Sequence, residues 1–216
     1  MSAEAPIHLI LARHGNTFES GQKPVQVGSQ TDMPLTAEGK QQAHRLGRYL
    51  ADRGVVPQAI YAGPLKRQIE TATIVAEELH AKERIHTHEP ALVEVDYGFW
   101  EGLADEEVMA KWPSEYKGWT QQAVWGTGIF GGSLQQHLMS IEKWLEELRK
   151  KYAPGDTVLG ITSNGIIRFF HSLQRDAWER LVKEGRMQAI KVKTGHFCEI
   201  QLFKHSIKVI SWNVAP

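Results

Sequence analysis

Four short segments of the sequence carry the residue types needed to hold and transfer a phosphate group. They are residues 13–17 (Arg-His-Gly-Asn-Thr), Arg67, Glu94 and residues 163–165 (Ser-Asn-Gly). A phosphomonoester carries nearly two negative charges. Its transfer needs an in-line nucleophile, cations or N–H groups on the non-bridging oxygens, and a proton for the leaving alkoxide. Together the four segments supply each of these groups.

Each candidate residue suits a different part of such a reaction. A neutral His14 can attack through one imidazole nitrogen, provided that a carbonyl holds the N–H of the other nitrogen and so fixes the tautomer. Arg13 and Arg67 offer permanently charged guanidinium forks, which match phosphate oxygens. Glu94 can be the acid, because its apolar and aromatic neighbours would raise its pKa toward neutrality.

The pattern around these segments predicts the elements that position them. Apolar runs at residues 7–12, 59–62 and 157–162 are typical of buried parallel strands, and a helical period follows each run. Thr36 and Gly54 are of the types that begin and end a helix. Alternating strands and helices predict an α/β fold, a three-layer α/β/α sandwich with a mostly parallel central sheet. Ligands of such sheets bind beyond the carboxyl ends of the strands, where the polar segments fall.

The rest of the chain adds further elements and one irregular stretch. Helices are predicted to begin at Leu65, Leu134 and Ile166, and strands at residues 92–95, 189–192, 197–203 and 207–214. Residues 96–132 lose clear periodicity and contain four of the seven tryptophans. We interpret them as a cap or lid inserted into a single domain that spans residues 1–216, and we expect substrate specificity to lie there.

Four segments resemble, in order, motifs of the histidine phosphatase superfamily, which includes the cofactor-dependent phosphoglycerate mutases. Residues 11–17 resemble its arginine-histidine-glycine signature, and residues 31–39 look like the Asp-x-Pro-Leu-Thr-x-x-Gly start of its first helix. Residues 63–72 are similar to its second arginine motif, and residues 94–102 to the segment that bears its proton donor. The likeness covers nearly the whole chain, and four ordered matches are far more specific than one.

The resemblance implies a phosphatase in which His14 is phosphorylated and Glu94 protonates the leaving group. Arg13 and Arg67 would bind the phosphoryl oxygens, and Asn16 or Thr17 would add a hydrogen bond. The residues expected at the phosphate are thus Arg13, Asn16, Thr17, Arg67, Asn164 and Gly165. The implied substrate is a small phosphorylated metabolite, and simple phosphatase action in this family needs no metal or organic cofactor.

Asn164 departs from the family pattern, in which the corresponding strand ends in a second histidine followed by glycine. An asparagine amide can donate a hydrogen bond, and the N–H groups of Gly165 and Ile166 at a helix start favour an anion, but Asn164 cannot carry a positive charge. Losing one such group typically costs on the order of 3 kcal/mol, about a hundredfold in rate. We therefore expect a weakened or specialised phosphatase.

Composition excludes several other classes of function. Lys plus Arg equals Asp plus Glu at 25 each, so the chain lacks the broad basic field that non-specific nucleic-acid or anionic-membrane binding requires. The single cysteine, Cys198, and the short apolar run at residues 7–12 favour a cytoplasmic protein without a membrane span. His86 and His88 would share a strand face, but no third ligand follows at a recognisable spacing, so we predict no metal site.

Two other functions stay open at this stage. A binding or regulatory protein could keep the phosphate site and turn over poorly, and Asn164 is the feature in its favour. A phosphoglycerate-type mutase ranks third, since mutases of the superfamily tend to be longer and to keep the second histidine. The oligomeric state, including a homodimer, is open as well.

Overall fold

A six-stranded mixed sheet forms the centre of the computed structural model, which describes residues 5–216. From one edge to the other the strand order is β3-β2-β4-β1-β5-β6. The first four strands in this order run parallel, and the last two are antiparallel to their neighbours. The strands are β1 (Ile7–Arg13), β2 (Ala59–Ala62), β3 (Ile85–His86), β4 (Thr157–Thr162), β5 (Phe197–Leu202) and β6 (Ile207–Val214).

Seven α-helices surround the sheet in this part of the chain. They are α1 (Ala37–Asp52), α2 (Lys66–Glu78), α3 (Asp105–Lys111), α4 (Pro113–Gln122), α5 (Leu134–Lys151), α6 (Asn164–Ser172) and α7 (Arg175–Lys183). Within residues 5–216, no helix is both long and apolar enough to cross a membrane.

The two faces of the sheet bury separate apolar clusters, which gives the fold its three layers. Alternate residues of β1 point to opposite faces: Leu9 and Leu11 belong to the cluster that includes α5 and α6, and Ile10 and Ala12 to the cluster that includes α1 and α2. Because both faces are covered, the strands appear in the sequence as continuous apolar runs. The predicted three-layer α/β fold is confirmed.

Local interactions set both ends of α1 and the start of α5 where the sequence predicts them. The Thr36 hydroxyl accepts a hydrogen bond from the Gly39 N–H at 3.1 Å and so caps α1. Gly54 follows that helix with φ of +69°, a conformation that glycine adopts without strain. The Ser133 hydroxyl caps α5 in the same way, accepting from the Gln136 N–H.

Two predicted strands are wrong. Leu92 is the last residue of a 3-10 turn, Pro90–Leu92, and residues 93–95 form no strand. The Leu92 carbonyl accepts from the side chains of Gln68 and Thr162 rather than from a strand. Pro90 has no N–H to donate to a neighbouring strand. The strand that pairs in parallel with β2 at the edge of the sheet is β3 instead. In place of a strand at residues 189–192, the chain forms a second 3-10 turn, Met187–Ile190, whose two end residues are buried.

The prediction that residues 96–132 are irregular is wrong for their central part, which forms α3 and α4. These helices have 7 and 10 residues and meet at Trp112 and Pro113, so neither is long enough to display a clear period. Aromatic residues of residues 96–132 pack mostly edge-to-face, as do Trp119 and Phe130, whose ring centroids are 5.1 Å apart. Most aromatic residues of this region therefore belong to the hydrophobic core or pack against it.

Candidate active site

His14 lies immediately after β1, at the carboxyl end of the parallel strands. Its main-chain N–H donates to the Thr162 carbonyl of β4 at 3.0 Å, which fixes it beside the end of that strand. Its Nδ1 lies 2.7 Å from the Gly15 carbonyl oxygen. A carbonyl can only accept, so Nδ1 carries the hydrogen and Nε2 carries the lone pair.

The environment of His14 keeps its imidazole neutral. The residue is buried, and burial together with the charges of Arg67 and Arg13 lowers its pKa well below the ordinary value of 6.5. The hydrogen bond to Gly15 acts in the opposite direction but is the smaller effect. At neutral pH the ring is therefore unprotonated and its tautomer is fixed, which is the state a histidine needs to act as a nucleophile.

Gly15 allows the chain around His14 to approach the start of α1. A Cβ at Gly15 would overlap the Gly39 carbonyl, and a Cβ at Gly39 would overlap the Asn16 carbonyl. The Gly15 N–H donates to the Thr71 hydroxyl of α2 at 3.1 Å. Two glycines facing each other thus set the position of His14 by contact between main chains.

Arg67 lies in the first turn of α2 and is almost fully buried, at 1% exposure. Its Nη1 donates to the Thr31 carbonyl at 2.8 Å and its Nη2 to the Gly28 carbonyl at 3.0 Å. Neither acceptor neutralises the guanidinium charge. The side chain is therefore held in one orientation while its charge stays available to an anion.

Arg13, the last residue of β1, supplies the second guanidinium. Its Nη1 donates to the Val192 carbonyl at 2.8 Å, while its buried Nε has no hydrogen-bond partner among residues 5–216. Burial lowers its pKa, the charge of Glu94 acts in the opposite direction, and the charge of Arg67 lowers it slightly further. Both guanidinium groups line the same cavity. Two like charges near a buried imidazole are costly without an anion between them.

Glu94 is a buried carboxyl group held by two main-chain donors. The Val95 N–H donates to Oε1 at 2.9 Å and the Gly165 N–H to Oε2 at 3.2 Å. Burial raises its pKa; these two bonds and the charges of Arg67 and Arg13 only partly offset that rise. Glu94 thus keeps a proton to a higher pH than an ordinary glutamate, as a general acid must.

One cavity of about 470 Å³ brings most of the predicted residues together. It is a size suited to a small metabolite. The imidazole, both guanidinium groups and the acid, which are distant in sequence, all line it. The predicted residues along its wall are Arg13, His14, Thr17, Arg67, Glu94 and Asn164.

Asn164 is the first residue after β4 to reach this cavity. Its Oδ1 accepts from the Val192 N–H at 2.9 Å, so its amide nitrogen is the end that can donate to a ligand. Ser163, which precedes it, is fully buried and accepts from the Gln68 side chain at 3.0 Å.

Two of the predicted phosphate ligands do not line the cavity. The Asn16 side chain turns back on its own loop, where Nδ2 donates to the Phe18 carbonyl at 2.7 Å. Gly165 contributes through its N–H, which is used by Glu94. The two residues therefore support the loop and the acid in this structure.

Several lining residues were not predicted. Tyr97 is buried beside Glu94, and the exposed Lys23, Asp105, Glu106 and Lys191 stand around the cavity. Tyr97 could have been anticipated, since it lies three residues after Glu94 in the same motif. The charged residues look like ordinary surface positions in the sequence.

No group of three or more His, Cys, Asp or Glu side chains within residues 5–216 is arranged to hold a metal ion. The His86 ring instead stacks on Tyr61, with centroids 4.8 Å apart.

Fold and site together define the class: an α/β protein with a buried neutral histidine and two guanidinium groups around a cavity at the carboxyl edge of its sheet. The family follows from comparison. The chain belongs to the histidine phosphatase superfamily (branch 1), whose family model matches residues 9–215.

Curated relatives include phosphatases and mutases. The chain is 34% identical over 147 residues to phosphoserine phosphatase 1 of Hydrogenobacter thermophilus, covering 68% of this chain and 66% of that protein. It is 38% identical over 96 residues to 2,3-bisphosphoglycerate-dependent phosphoglycerate mutase 1 of Latilactobacillus sakei, covering 44% of this chain and 40% of that protein. The matches thus span just under two thirds of the first relative and less than half of the second.

Solved structures share the fold over nearly the whole chain. A mycobacterial glucosyl-3-phosphoglycerate phosphatase superposes with a TM-score of 0.79 at 20% identity, covering 97% of this chain and 100% of that one. The alpha-ribazole phosphatase from Shigella flexneri gives 0.72 at 22% identity, covering 97% of each chain. At these identities the likeness concerns the fold alone.

Proposed function

We propose that this protein is a phosphomonoesterase that hydrolyses a small phosphorylated metabolite through a phosphohistidine at His14. The observation that carries the proposal is the state of His14: buried, neutral and bonded through Nδ1, so that Nε2 is the nucleophilic nitrogen, in a cavity shared with two guanidinium groups. The phosphatases among its relatives support the same reaction class.

In the first step Nε2 of His14 attacks phosphorus in line with the leaving oxygen. The N–P bond forms as the P–O bond to the alkoxide breaks. Arg13 and Arg67 balance the charge that spreads over the three equatorial oxygens. Glu94 gives its proton to the leaving alkoxide, which departs as an alcohol.

In the second step water releases the phosphate. The Glu94 carboxylate takes a proton from the attacking water, the new P–O bond forms, and the N–P bond breaks. Inorganic phosphate leaves, and both His14 and Glu94 return to their starting protonation states. No metal is needed in either step.

Asn164 makes this a phosphatase of reduced or specialised activity in our proposal. Its amide can donate one hydrogen bond to a phosphoryl oxygen but adds no charge. The cavity then relies on two arginines for charge balance at the phosphoryl group.

The direct test is to trap the intermediate. Protein mixed with radiolabelled p-nitrophenyl phosphate and quenched in milliseconds should carry label that is stable in alkali and lost in acid, as expected of phosphohistidine. Peptide mapping should place the label on His14, and steady-state release of phosphate should accompany it. His8→Ala, an exposed histidine of β1, is the matched control and should label normally.

The labelling experiment, together with an isomerisation assay on phosphoglycerate, distinguishes the two other functions. Label without turnover would favour a phosphate-binding or regulatory protein, the alternative that Asn164 supports. Isomerisation of phosphoglycerate without net phosphate release would favour a mutase. Absence of label on His14 in a protein that hydrolyses substrate would contradict the mechanism.

We also propose that residues 96–132 form a cap on one domain that spans the chain. Tyr97, Asp105 and Glu106 come from this region and line the cavity, so it is placed to contact a substrate. The lone buried Cys198 and the balanced charge favour a cytoplasmic location.

A further inference from the structure

Gln68 is a fully buried amide in the first turn of α2, next to Arg67, and it has no part in the mechanism proposed above. Its Nε2 donates two hydrogen bonds, to the Leu92 carbonyl at 2.8 Å and to the Ser163 hydroxyl at 3.0 Å. Its Oε1 accepts from the Leu65 N–H at 3.3 Å. Both N–H donors and the carbonyl oxygen of this side chain are therefore used inside the protein.

The partners of Gln68 fix the orientation of its amide. A main-chain carbonyl only accepts and a main-chain N–H only donates, so the nitrogen faces Leu92 and the oxygen faces Leu65. Gly63 leaves the space for this arrangement, because a Cβ there would overlap both the Gln68 Oε1 and the Leu92 carbonyl oxygen. The surrounding main chain thus allows the amide one position.

Both acceptors of the amide belong to segments that set the position of the acid. Leu92 lies two residues before Glu94, and its carbonyl also accepts from the Thr162 hydroxyl at 2.8 Å. Ser163 lies two residues before Gly165, whose N–H donates to Glu94 Oε2 at 3.2 Å. A single side chain of α2 therefore joins the segment that carries the Glu94 carboxyl to the segment that holds it.

The nucleophile is held by other groups. The His14 N–H donates to the Thr162 carbonyl at 3.0 Å, and its Nδ1 donates to the Gly15 carbonyl at 2.7 Å. The Gly15 N–H in turn donates to the Thr71 hydroxyl, so a different residue of α2 supports the loop of the nucleophile. None of these bonds involves Gln68, and loss of its amide should displace the acid and leave the imidazole in place.

We propose that Gln68 is the positioning residue for the general acid, and that its amide holds the Glu94 carboxyl where its proton reaches the leaving oxygen. This inference rests on the proposed phosphatase function and adds to it a residue that acts through Glu94 rather than on the substrate. A poor leaving group needs the proton and so depends on Gln68, whereas a good leaving group departs without it.

The test compares two aromatic substrates that differ in the leaving group. Benzyl phosphate releases an alkoxide that needs a proton, and p-nitrophenyl phosphate releases an anion that is stable without one. The quantity measured is the ratio of kcat/KM for the two substrates, in which a general loss of active protein cancels. Gln68→Met should lower kcat/KM by about 10- to 100-fold for benzyl phosphate and by less than about threefold for p-nitrophenyl phosphate.

Three further variants separate positioning from a general structural role. Gln68→Glu keeps the size and the acceptor oxygen but removes both donors, so it should change the ratio as Gln68→Met does. Thr71→Val removes the bond from the same helix to the loop of the nucleophile, so it should slow both substrates by the same factor. Thr73→Val removes a hydroxyl that donates to the Ile69 carbonyl within α2, and this control should keep the wild-type kinetics.

Two results with folded Gln68 variants would overturn the proposal: a ratio equal to wild type, or equal losses on both substrates, which a purely structural role predicts. If melting curves show that neither Gln68 variant folds, Ser163→Ala replaces them. It removes one of the two acceptors and should shift the ratio in the same direction by a smaller factor. A wild-type ratio in Ser163→Ala would then reject the positioning role.

Failure of the proposed function gives a different result. If the wild-type protein hydrolyses neither substrate and His14 is not labelled, the phosphatase proposal fails, and amide hydrogen exchange tests Gln68 without activity. The Gly165 N–H, relative to the His14 N–H, should exchange at least about 10-fold faster in Gln68→Met than in wild type, because its bond to Glu94 is loosened. An unchanged exchange ratio would show that Gln68 does not hold this carboxyl.

Discussion

Two adjoining cavities share several lining residues, and their two walls hold charged side chains in different ways. The strand wall consists of Arg13, His14, Arg67 and Glu94, and main-chain groups bind the side chains there: carbonyls orient the imidazole and Arg67, and N–H groups hold the carboxyl. The helical wall consists of Tyr97, Trp119, Arg168 and Lys191. Its arginine is oriented by an aromatic ring and has two unpaired nitrogens.

In the proposed mechanism, this difference separates the residues of the chemical step from the residues that contact the rest of the substrate. Main-chain partners do not change when a side chain is replaced, so the strand wall can keep one geometry for phosphoryl transfer. The helical wall depends on side chains, so a substitution there changes its geometry. We expect substitutions in the two walls to give different kinds of defect, and the following predictions use that contrast.

The largest effect is expected from removing the nucleophile in the strand wall. His14→Ala should lower kcat for p-nitrophenyl phosphate by at least roughly 10⁴-fold, because no other group in the cavity can form the covalent intermediate. Stopped assays with the exposed-site variant His8→Ala as control measure this. Residual activity within tenfold of wild type would contradict the assignment of His14.

Glu94→Gln should lower kcat by roughly 10²- to 10³-fold for an alkyl phosphate, whose leaving group needs a proton. The effect should be much smaller for p-nitrophenyl phosphate, whose leaving group is stable as an anion. Equal losses for both substrates would mean that Glu94 does not act as the acid.

The pH profile sharpens the same prediction. Since burial raises the pKa of Glu94 above 4.5, wild-type activity on the alkyl phosphate should fall as pH rises through that raised pKa, where the acid loses its proton. Since the pKa of His14 lies well below 6.5, protonation of the nucleophile should reduce activity only at lower pH. In Glu94→Gln, the fall in activity at high pH should disappear and the fall in activity at low pH should remain.

Asn164 lies where the two walls meet. Asn164→His should raise the turnover of p-nitrophenyl phosphate, by up to about 100-fold if the added imidazole places a positive charge beside the transferring phosphoryl group. Asn164→Ala removes the side-chain amide and should lower the turnover of the same substrate. An unchanged or reduced rate in Asn164→His, with the melting temperature preserved, would count against a weakened site.

The smallest effect concerns stability and compares the two walls directly. Arg67→Met leaves the Thr31 and Gly28 carbonyls without their donor, which should cost about 2 kcal/mol, whereas Arg168→Met removes donors that have no protein partner. For a chain of this size, the melting temperature of Arg67→Met should lie roughly 4–8 °C below that of Arg168→Met. If calorimetry gave equal melting temperatures for the two variants, the two arginines would not differ in how much the protein depends on their hydrogen bonds.

The strand wall was the more predictable of the two from the sequence. His14, Arg13, Arg67 and Glu94 follow strands or strand-like runs, and parallel strands place their carboxyl ends together, so the convergence at one cavity was expected. Asn16 and Gly165 are the exceptions, because neither lines the cavity. The Gly165 N–H is used by Glu94. The residue type of Asn16 suits a phosphate, but an asparagine in a loop can equally bond to its own backbone, as it does here.

The helical wall was mostly missed, for two physical reasons. The short helices α3 and α4 are specified by packing rather than by a period, so pattern alone described them as irregular. Arg168 occurs in an apolar run, Ile-Ile-Arg-Phe-Phe at residues 166–170. A charged residue among buried helical neighbours was a clue to this site, but only coordinates reveal that its nitrogens lack partners.

The paired glycines at positions 15 and 39 limit how this site can be redesigned. A larger residue at either one would push a peptide group rather than a movable side chain, and enlarging both would compound the collision. Laboratory selection for new substrates should therefore accumulate changes around Trp119, Arg168 and Lys191 and leave the two glycines next to His14 unchanged.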